Sequence, residues 1–337
     1  MKALVMDPNS SLFDKVLGCL LGGVIGDAMG TPTEKLSHEE IQQRFGWVQT
    51  FSGDGTDDSL LKHILCETLE RTGGHATADA WAEDWLRHSQ TFIESSLFFA
   101  PVISTFWKLR GEQIQPREAG AGNMASSSSA MCISPMGIVN AGNPRQAVLE
   151  TFEVASLIHH NFCRDGACAM AAAVAQAFAP GADVESVLRA ASDHLPPQSA
   201  QPMRVALQST LAMARASAGY EDFRTRYYAA IDPARHFTDS RETVPLALAL
   251  VWLAAGDTRK AVEYGANFGR DADTIASMAG AVAGALGGAR ALPQAWMETL
   301  GAQADKQRAL ADRMTQVVRA RAESARAAAQ AVLEIAA

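Results

Sequence analysis

Two short acidic stretches, each at the opening of an expected helix, carry most of the chemistry in this chain. The first is Gly53-Asp54-Gly55-Thr56-Asp57-Asp58-Ser59, where glycines allow a tight turn and the carboxylates suit the positive end of a helix. The second, Gly269-Arg270-Asp271-Ala272-Asp273-Thr274, repeats two acids and a threonine after a glycine. Each fits plain N-capping, which stabilises a helix by about 1 kcal/mol. One capping side chain serves a helix, however, and each of these starts carries two carboxylates and a hydroxyl. Gathered in space, four such carboxylates repel strongly unless cations neutralise them. Oxygen ligands of this kind select Mg²⁺, Mn²⁺ or Ca²⁺ over zinc. More than two hundred residues separate the clusters, so spacing alone leaves both readings open, capping and cation binding. A third junction, Gly26-Asp27-Ala28-Met29-Gly30-Thr31-Pro32-Thr33-Glu34, breaks the first helix and puts Glu34 on a loop, where a solvated glutamate is the ordinary outcome.

The elements that must position these residues read as helices. Apolar and small residues fill 12–28, and 57–71 alternates at helical spacing before stopping at Gly73-Gly74. Residues 78–90 carry Trp81, Trp85 and Leu86 on one face, and 144–159 places Val148, Phe152, Ala155 and His159 along one stripe. Residues 166–179 and 242–255 are almost wholly apolar and predict central helices. In 275–288 the small residues Ala276, Gly280, Ala283, Gly284 and Gly287 lie close to one face. Each Gly costs about 1 kcal/mol of helix propensity, so tight packing or a ligand must compensate. Loops are expected at 29–56, 111–136 and 180–203, and no strand alternation is visible. The pattern predicts one all-α, multi-helix domain over 12–300, with 301–337 as a C-terminal helical extension.

Composition bounds the partners. The 337 residues are 48% hydrophobic and 20% charged, ordinary for a globular chain, and a formal charge of −8 argues against a broad nucleic-acid footprint. In the last helix Lys306, Arg308, Arg313, Arg319, Arg321 and Arg326 are interleaved with acids and read as a solvated face. The five cysteines are scattered without C-x-x-C spacing, which suits a reducing, cytoplasmic setting. The apolar run 16–26 is too short to span a bilayer, and Asp7 and Asp14 stand where a signal peptide needs positive charge. No membrane partner is expected, and the oligomeric state is left open.

Taken in order, these motifs resemble the ADP-ribosylglycohydrolase family, which includes the dinitrogenase-reductase-activating glycohydrolases. Residues 22–34 resemble its G-x-x-x-G-D-A-x-G-x-P-x-E opening, and Thr56-Asp57-Asp58 its T-D-D. Residues 269–276 with 280–285 resemble its G-x-D-x-D-T-I-A…G-A-x-x-G-A. The resemblance implies an all-α fold with a di-metal site at helix N-termini. It implies two Mg²⁺ ions, with Mn²⁺ as a substitute, held by Thr56, Asp57, Asp58, Asp271, Asp273 and Thr274. It further implies that a metal-activated water attacks an N- or O-ribosyl bond of an ADP-ribosylated protein or small ribosyl substrate. Glu34, Asp57 and Asp273 are then the expected catalytic residues, with Glu34 handling a proton near the metals.

The chain also departs from the family pattern. The central loop usually reads G-N-G-A-A-M-R-I-S-P-x-G, and here it is Ser126-Ser127-Ser128-Ser129-Ala130-Met131-Cys132-Ile133-Ser134-Pro135-Met136-Gly137. Cysteine cannot replace the donor fork of an arginine. By composition the serine run also fits a flexible linker. Within this motif Ser127, Ser128, Ser129 and Met131 are expected to face substrate. His159 keeps a family histidine while Ile158 replaces a hydroxyl, so His159 reads as a substrate contact or a satisfied core histidine, with His160 as an alternative. The only glycine-rich phosphate cradle is around Gly120 to Asn123. That keeps a nucleoside hydrolase, and a non-catalytic ADP-ribose-binding relative, as alternatives to the ADP-ribosyl reading.

Overall fold

In the computed structural model the described residues are 11–336, except 113 and 233, so Asp7 lies outside them. Seventeen α-helices and four short 3₁₀ turns supply the regular structure, and no strand occurs among the described residues. The chain is all-α. Four helices are covered on nearly every side: Ser11–Gly30, Phe162–Ala177, Ser240–Leu253 and Ala272–Gly287. Apolar and small residues run round their whole circumference, as a helix without a solvent face requires. Amphipathic helices such as Val184–Asp193 form the shell, burying Val187, Leu188, Ala190 and Ala191. Among the described residues no helix is long and apolar enough to cross a membrane.

The tightest pairing joins the first helix to Ala272–Gly287. Gly18, Gly22, Gly26 and Gly30, four residues apart, meet Gly284, Gly280, Ala276 and Asp273 in antiparallel order. A methyl group on Gly22 would stand 2.1 Å from the Gly280 carbonyl oxygen, and one on Gly284 would stand 2.0 Å from that of Gly18. Neither backbone has room for an alanine. The small-residue face that needed compensation is therefore compensated by packing against another helix. The same interlock sets Gly30 against Asp273, where a Cβ would lie 2.4 Å from the Asp273 Cα. It thereby delivers the loop that follows, Thr31 to Glu34, to the second acidic cluster.

Three expectations need correction. The helix from Pro144 ends at Val154, is followed by a 3₁₀ turn over Ala155–Leu157, and leaves His159 beyond it. The stripe through Phe152 does not form: Phe152 is 40% exposed and lies 3.6 Å under the Arg164 guanidinium. The chain must turn there because Asn161 already caps the next helix. The tryptophan helix is shorter than expected, Ala78–Arg87, and turns Leu86 outward while burying Trp81 and Trp85. The expected loops 29–56 and 180–203 contain helices His38–Phe45 and Val184–Asp193, opened by the capping boxes Ser37/Glu40 and Asp183/Ser186. The first of these buries only Ile41, so it has no apolar stripe to announce it. The last helix, Ala302–Ile335, buries Leu310, Met314, Val317 and Val318 against the body, and residues 322–336 stand in solvent.

Candidate metal centre and active site

The fold brings the two acidic clusters together at the floor of one cavity. Asp27, fully buried near the end of the first helix, accepts hydrogen bonds from Thr56 N, Thr56 Oγ1, Ser59 N and Ser59 Oγ at 2.6–3.0 Å. A buried carboxylate from another helix thus anchors the start of the Asp57–Arg71 helix, in place of a local cap. Gly55 permits this approach: its φ is +98°, and a Cβ there would stand 2.3 Å from Asp27 Oδ2. With the helix start pinned, Asp57 accepts from Phe99 N at 3.2 Å, and Asp58 accepts from Thr274 Oγ1 at 3.2 Å. That last bond joins the first acidic cluster directly to the second.

The second cluster is held from both sides. Asp271 accepts from Ser127 Oγ at 2.9 Å, and Asp273 from the Thr274 amide at 2.8 Å. Glu34 reaches the same point because its loop is bonded to the chain beside Asp271: Lys35 N donates to Arg270 O, and Arg270 N to Leu36 O. One carboxylate oxygen each from Asp27, Asp58 and Asp273 fall within 4.8 Å of one another, as do those of Glu34, Asp271 and Asp273. Asp273 belongs to both groups.

Burial makes this gathering unfavourable for charge. It pushes Asp57 up to about 7 and Asp271 up to about 8, and it carries Asp58 and Asp273 well above the usual carboxylate range. Repulsion among the neighbouring carboxylates adds to the rise, and the buried ammonium of Lys62, which donates to Ser277 Oγ at 3.1 Å, opposes it at Asp58. Asp58 Oδ1 is buried and has no hydrogen-bond donor among the described residues. An acceptor left bare in the interior is costly unless something positive occupies the space beside it. The all-oxygen donor set fits a hard divalent cation.

The cavity above the clusters has a volume of about 260 Å³ and is lined by Glu34, Thr56, Asp57, Asp58, Asp271, Asp273, Thr274, Ser127, Ser128 and Met131, with Thr31, Lys35, Ser96, Leu97, Phe99 and Thr238 completing its walls. A larger groove of about 550 Å³ beside Val205 and Tyr227 contains none of these carboxylates. Ser129 and His159 lie behind the wall. His159 is buried, with Nδ1 2.9 Å from Ser129 Oγ and Nε2 3.1 Å from Met124 O. Since a carbonyl only accepts, Nε2 carries the proton and Nδ1 accepts from the serine. Burial holds this ring down to about 4, so it is neutral. His160 contacts Arg117 O, away from the cavity. The serine run is no flexible linker: Ser126 to Ser129 are all buried, and Ser126 Oγ meets Ser128 Oγ at 2.8 Å. Cys132 is also buried, with Sγ 3.5 Å from Ser128 O.

Several residues at or beside the site escaped the sequence reading. Asp27 lies inside the Gly26-Asp27-Ala28 motif, which by itself assigns it no role. Lys62 reads as an ordinary helix-surface lysine, one turn after Asp58. Phe99 and Thr238 come from loops with no motif, and the pairing of Arg270 with Glu242 spans 28 positions. Only Asp27 had a local signal, an acid at the end of an apolar helix with no basic neighbour.

The chain also resembles known proteins along most of its length. A sequence model of the ADP-ribosylglycohydrolase family matches residues 8–324. YegU of Escherichia coli K12 is 28% identical over 317 residues, covering 86% of this chain and 92% of YegU. The ADP-ribosylarginine hydrolase Tri1 of Pseudomonas putida GB-1 is 27% identical over 311 residues, covering 88% of this chain and 76% of Tri1. A solved structure described as an ADP-ribosylglycohydrolase-related protein complex shares the fold, with a TM-score of 0.70 at 20% identity over 91% of this chain and 99% of that one. The chain belongs to the ADP-ribosylglycohydrolase family and is a hydrolase of glycosidic bonds.

Proposed function

We propose that this enzyme is a divalent-cation-dependent hydrolase of an ADP-ribosyl or related ribosyl N- or O-glycosidic bond, using Mg²⁺ with Mn²⁺ as a substitute. The observation that carries the reading is the overlap of two three-carboxylate groups at Asp273, beside the buried and unpartnered Asp58 Oδ1. Overlapping groups suit two ions; the ligands we assign to them are Thr56, Asp57 and Asp58 on one side and Asp271, Asp273 and Thr274 on the other, all lining the cavity, with Asp27 and Glu34 beside them. When bound, such ions supply Lewis acidity, orient a ribose diol and offset charge on the leaving group. Asp27 keeps the first ligand set in place by holding Thr56 and Ser59. Glu34, half-buried and adjacent to Asp271 and Asp273, is placed to accept or return a proton at its carboxylate oxygen. Ser127, Ser128 and Met131 form the wall against which a ribose would rest, and Ser129 and His159 support that wall from behind. Asp57 and Asp273 act as ligands more than as proton carriers.

A cavity of about 260 Å³ is smaller than typical pockets for whole drug-sized ligands, roughly 300–1,000 Å³. It suits a ribose, with the rest of the substrate extending past Lys35, Leu97 and Phe99. The relative named as an ADP-ribosylarginine hydrolase supports an ADP-ribosylated arginine, on protein or peptide, as the substrate. The same cavity size favours a second reading, a ribonucleoside hydrolase on the same centre. Five free buried thiols support a cytoplasmic setting, and we treat 12–300 as the catalytic body with 301–337 as its extension. The test incubates ADP-ribosyl-arginine peptide, ADP-ribosyl-serine peptide and nucleosides with and without Mg²⁺, read by mass spectrometry. Cation-dependent release of ADP-ribose is expected. Release of free base alone selects the nucleoside reading, and saturable ADP-ribose binding without any turnover selects a non-catalytic relative.

A further inference from the structure

Arg270 joins the Glu34 loop, the Asp271–Asp273 cluster and the helix carrying Glu242. Its backbone is in the left-handed region, φ 63°, which a side chain other than glycine adopts only when its surroundings enforce it. Its amide donates to Leu36 O at 2.9 Å and its carbonyl accepts from Lys35 N at 2.7 Å. These reciprocal bonds clamp the loop carrying Glu34 to the residue just before Asp271. Lys35 is itself left-handed, φ 67°, so both partners of the clamp hold an unfavourable conformation. The preceding Gly269 lies so close to the same loop that a Cβ there would stand 2.4 Å from Leu36 O.

The side chain explains what enforces this. Arg270 Nε donates to Glu242 Oε1 at 2.7 Å and Nη2 donates to Glu242 Oε2 at 3.1 Å, with a further contact from Nη2 to Arg235 O at 3.4 Å. Glu242 is fully buried in the first turn of the Ser240–Leu253 helix. A bidentate pair to a carboxylate with no access to water has a single geometry, which a flexible or monodentate cation does not reproduce. We propose that Arg270 and Glu242 are positioning residues whose ion pair holds the Glu34 loop in register with the Asp271–Asp273 cluster. The catalytic consequence rests on the cation-dependent reading above, whereas the registry itself does not.

The test compares Arg270→Gly, Arg270→Lys and Glu242→Gln with Arg321→Met. Glycine tolerates the left-handed backbone while deleting the pair. Arg321→Met breaks a comparably buried ion pair, Arg321 to Glu150 at 2.9 Å, remote from the cavity. Amide hydrogen exchange over residues 34–37, Mg²⁺ affinity by calorimetry, and kcat and KM separately are measured on each folded variant. In Arg270→Gly we expect exchange of the Lys35 amide to speed up at least tenfold and Mg²⁺ affinity to weaken by roughly 10–100-fold, the range for residues that orient ligands. kcat should fall more than KM rises. Arg270→Lys should recover part of each, and Arg321→Met should lower thermal stability alone. Unchanged exchange and cation affinity in folded Arg270→Gly overturns the proposal. Should that variant not fold, wild-type exchange and affinity in Arg270→Lys and Glu242→Gln overturn it equally. A wild-type enzyme that binds no cation sinks the cation reading, and the exchange data still decide the registry.

Discussion

Asp58 and Ser128 face the same cavity, and their polar atoms are handled in contrasting ways. Asp58 keeps one carboxylate oxygen buried without a donor, and its neighbours Asp57, Asp271 and Asp273 are all buried acids whose ordinary ionisation the interior resists. Ser128 belongs to a wall that satisfies itself: serine bonds serine, His159 bonds Ser129, and Met124 O takes the ring proton. The floor is therefore incomplete as a protein structure and the wall is complete. An incomplete floor ties its residues to whatever completes it. The wall tolerates four consecutive buried serines because each of their hydroxyls, Ser126 to Ser129, finds a partner.

The strongest test of this contrast is the double substitution Asp271→Ala with Asp273→Ala. Removing both carboxylates from the second group should abolish tight Mg²⁺ binding in calorimetry and lower turnover by roughly a thousandfold or more, since ligated cations contribute several kcal/mol to such transition states. Mg²⁺ affinity left intact would mean that these carboxylates hold no cation.

The two sides should also respond to pH with opposite slopes. In cation-free protein the folded-state values of Asp57 and Asp271, about 7 and about 8, lie above the unfolded 3.8. Their contribution is complete below 3.8 and is lost as pH rises through 7 to 8, and added Mg²⁺ should reverse that loss. His159 goes the other way: held at about 4 against 6.5 unfolded, it contributes fully above 6.5 and roughly 3 kcal/mol is lost as pH falls through 4. Urea unfolding across pH 4–9, with and without Mg²⁺, reads both limbs. His159→Gln should flatten the acid limb alone.

Smaller effects sharpen the comparison. Gly22→Ala forces apart the helices that carry Glu34's loop to Asp273, and should lower stability by about 1–3 kcal/mol in the same unfolding assay, with weaker Mg²⁺ binding. Ser127→Ala removes the 2.9 Å bond to Asp271, the one wall-to-floor bond among the described serines 126–129. It should reduce kcat severalfold, while Ser129→Ala, which reaches only His159 and a backbone carbonyl, should change stability by about 1 kcal/mol and leave kcat alone.

Legibility followed range. The residues of both acidic clusters, the glycine face of 275–288 and the apolar helices were visible because each is a local pattern. The helix from Pro144 was read past its end because Phe152 and Ala155 keep the period while Asn161, outside the window, sets the stop. His38–Phe45 was missed because a helix burying one side chain has almost no hydrophobic signature. Lys62 was unreadable as a buried cation, since its surroundings come from helices far away in the chain.

The sequence by itself determined an all-α chain, the residue types able to hold hard cations and, through their order, the family. Local chemistry suffices for these, because helix starts, glycine faces and oxygen ligands are written within a few residues of one another. What the tertiary structure decided is how the clusters meet. Glycines on two helices more than two hundred residues apart interlock with no room for a methyl group, and that contact sets Gly30 on Asp273. Asp27 and the loop carrying Glu34 take their positions from it. Contacts between backbones leave no periodic trace of their partner, so spacing could not join the clusters; the family resemblance implied the join, and the helix contact shows how it is made.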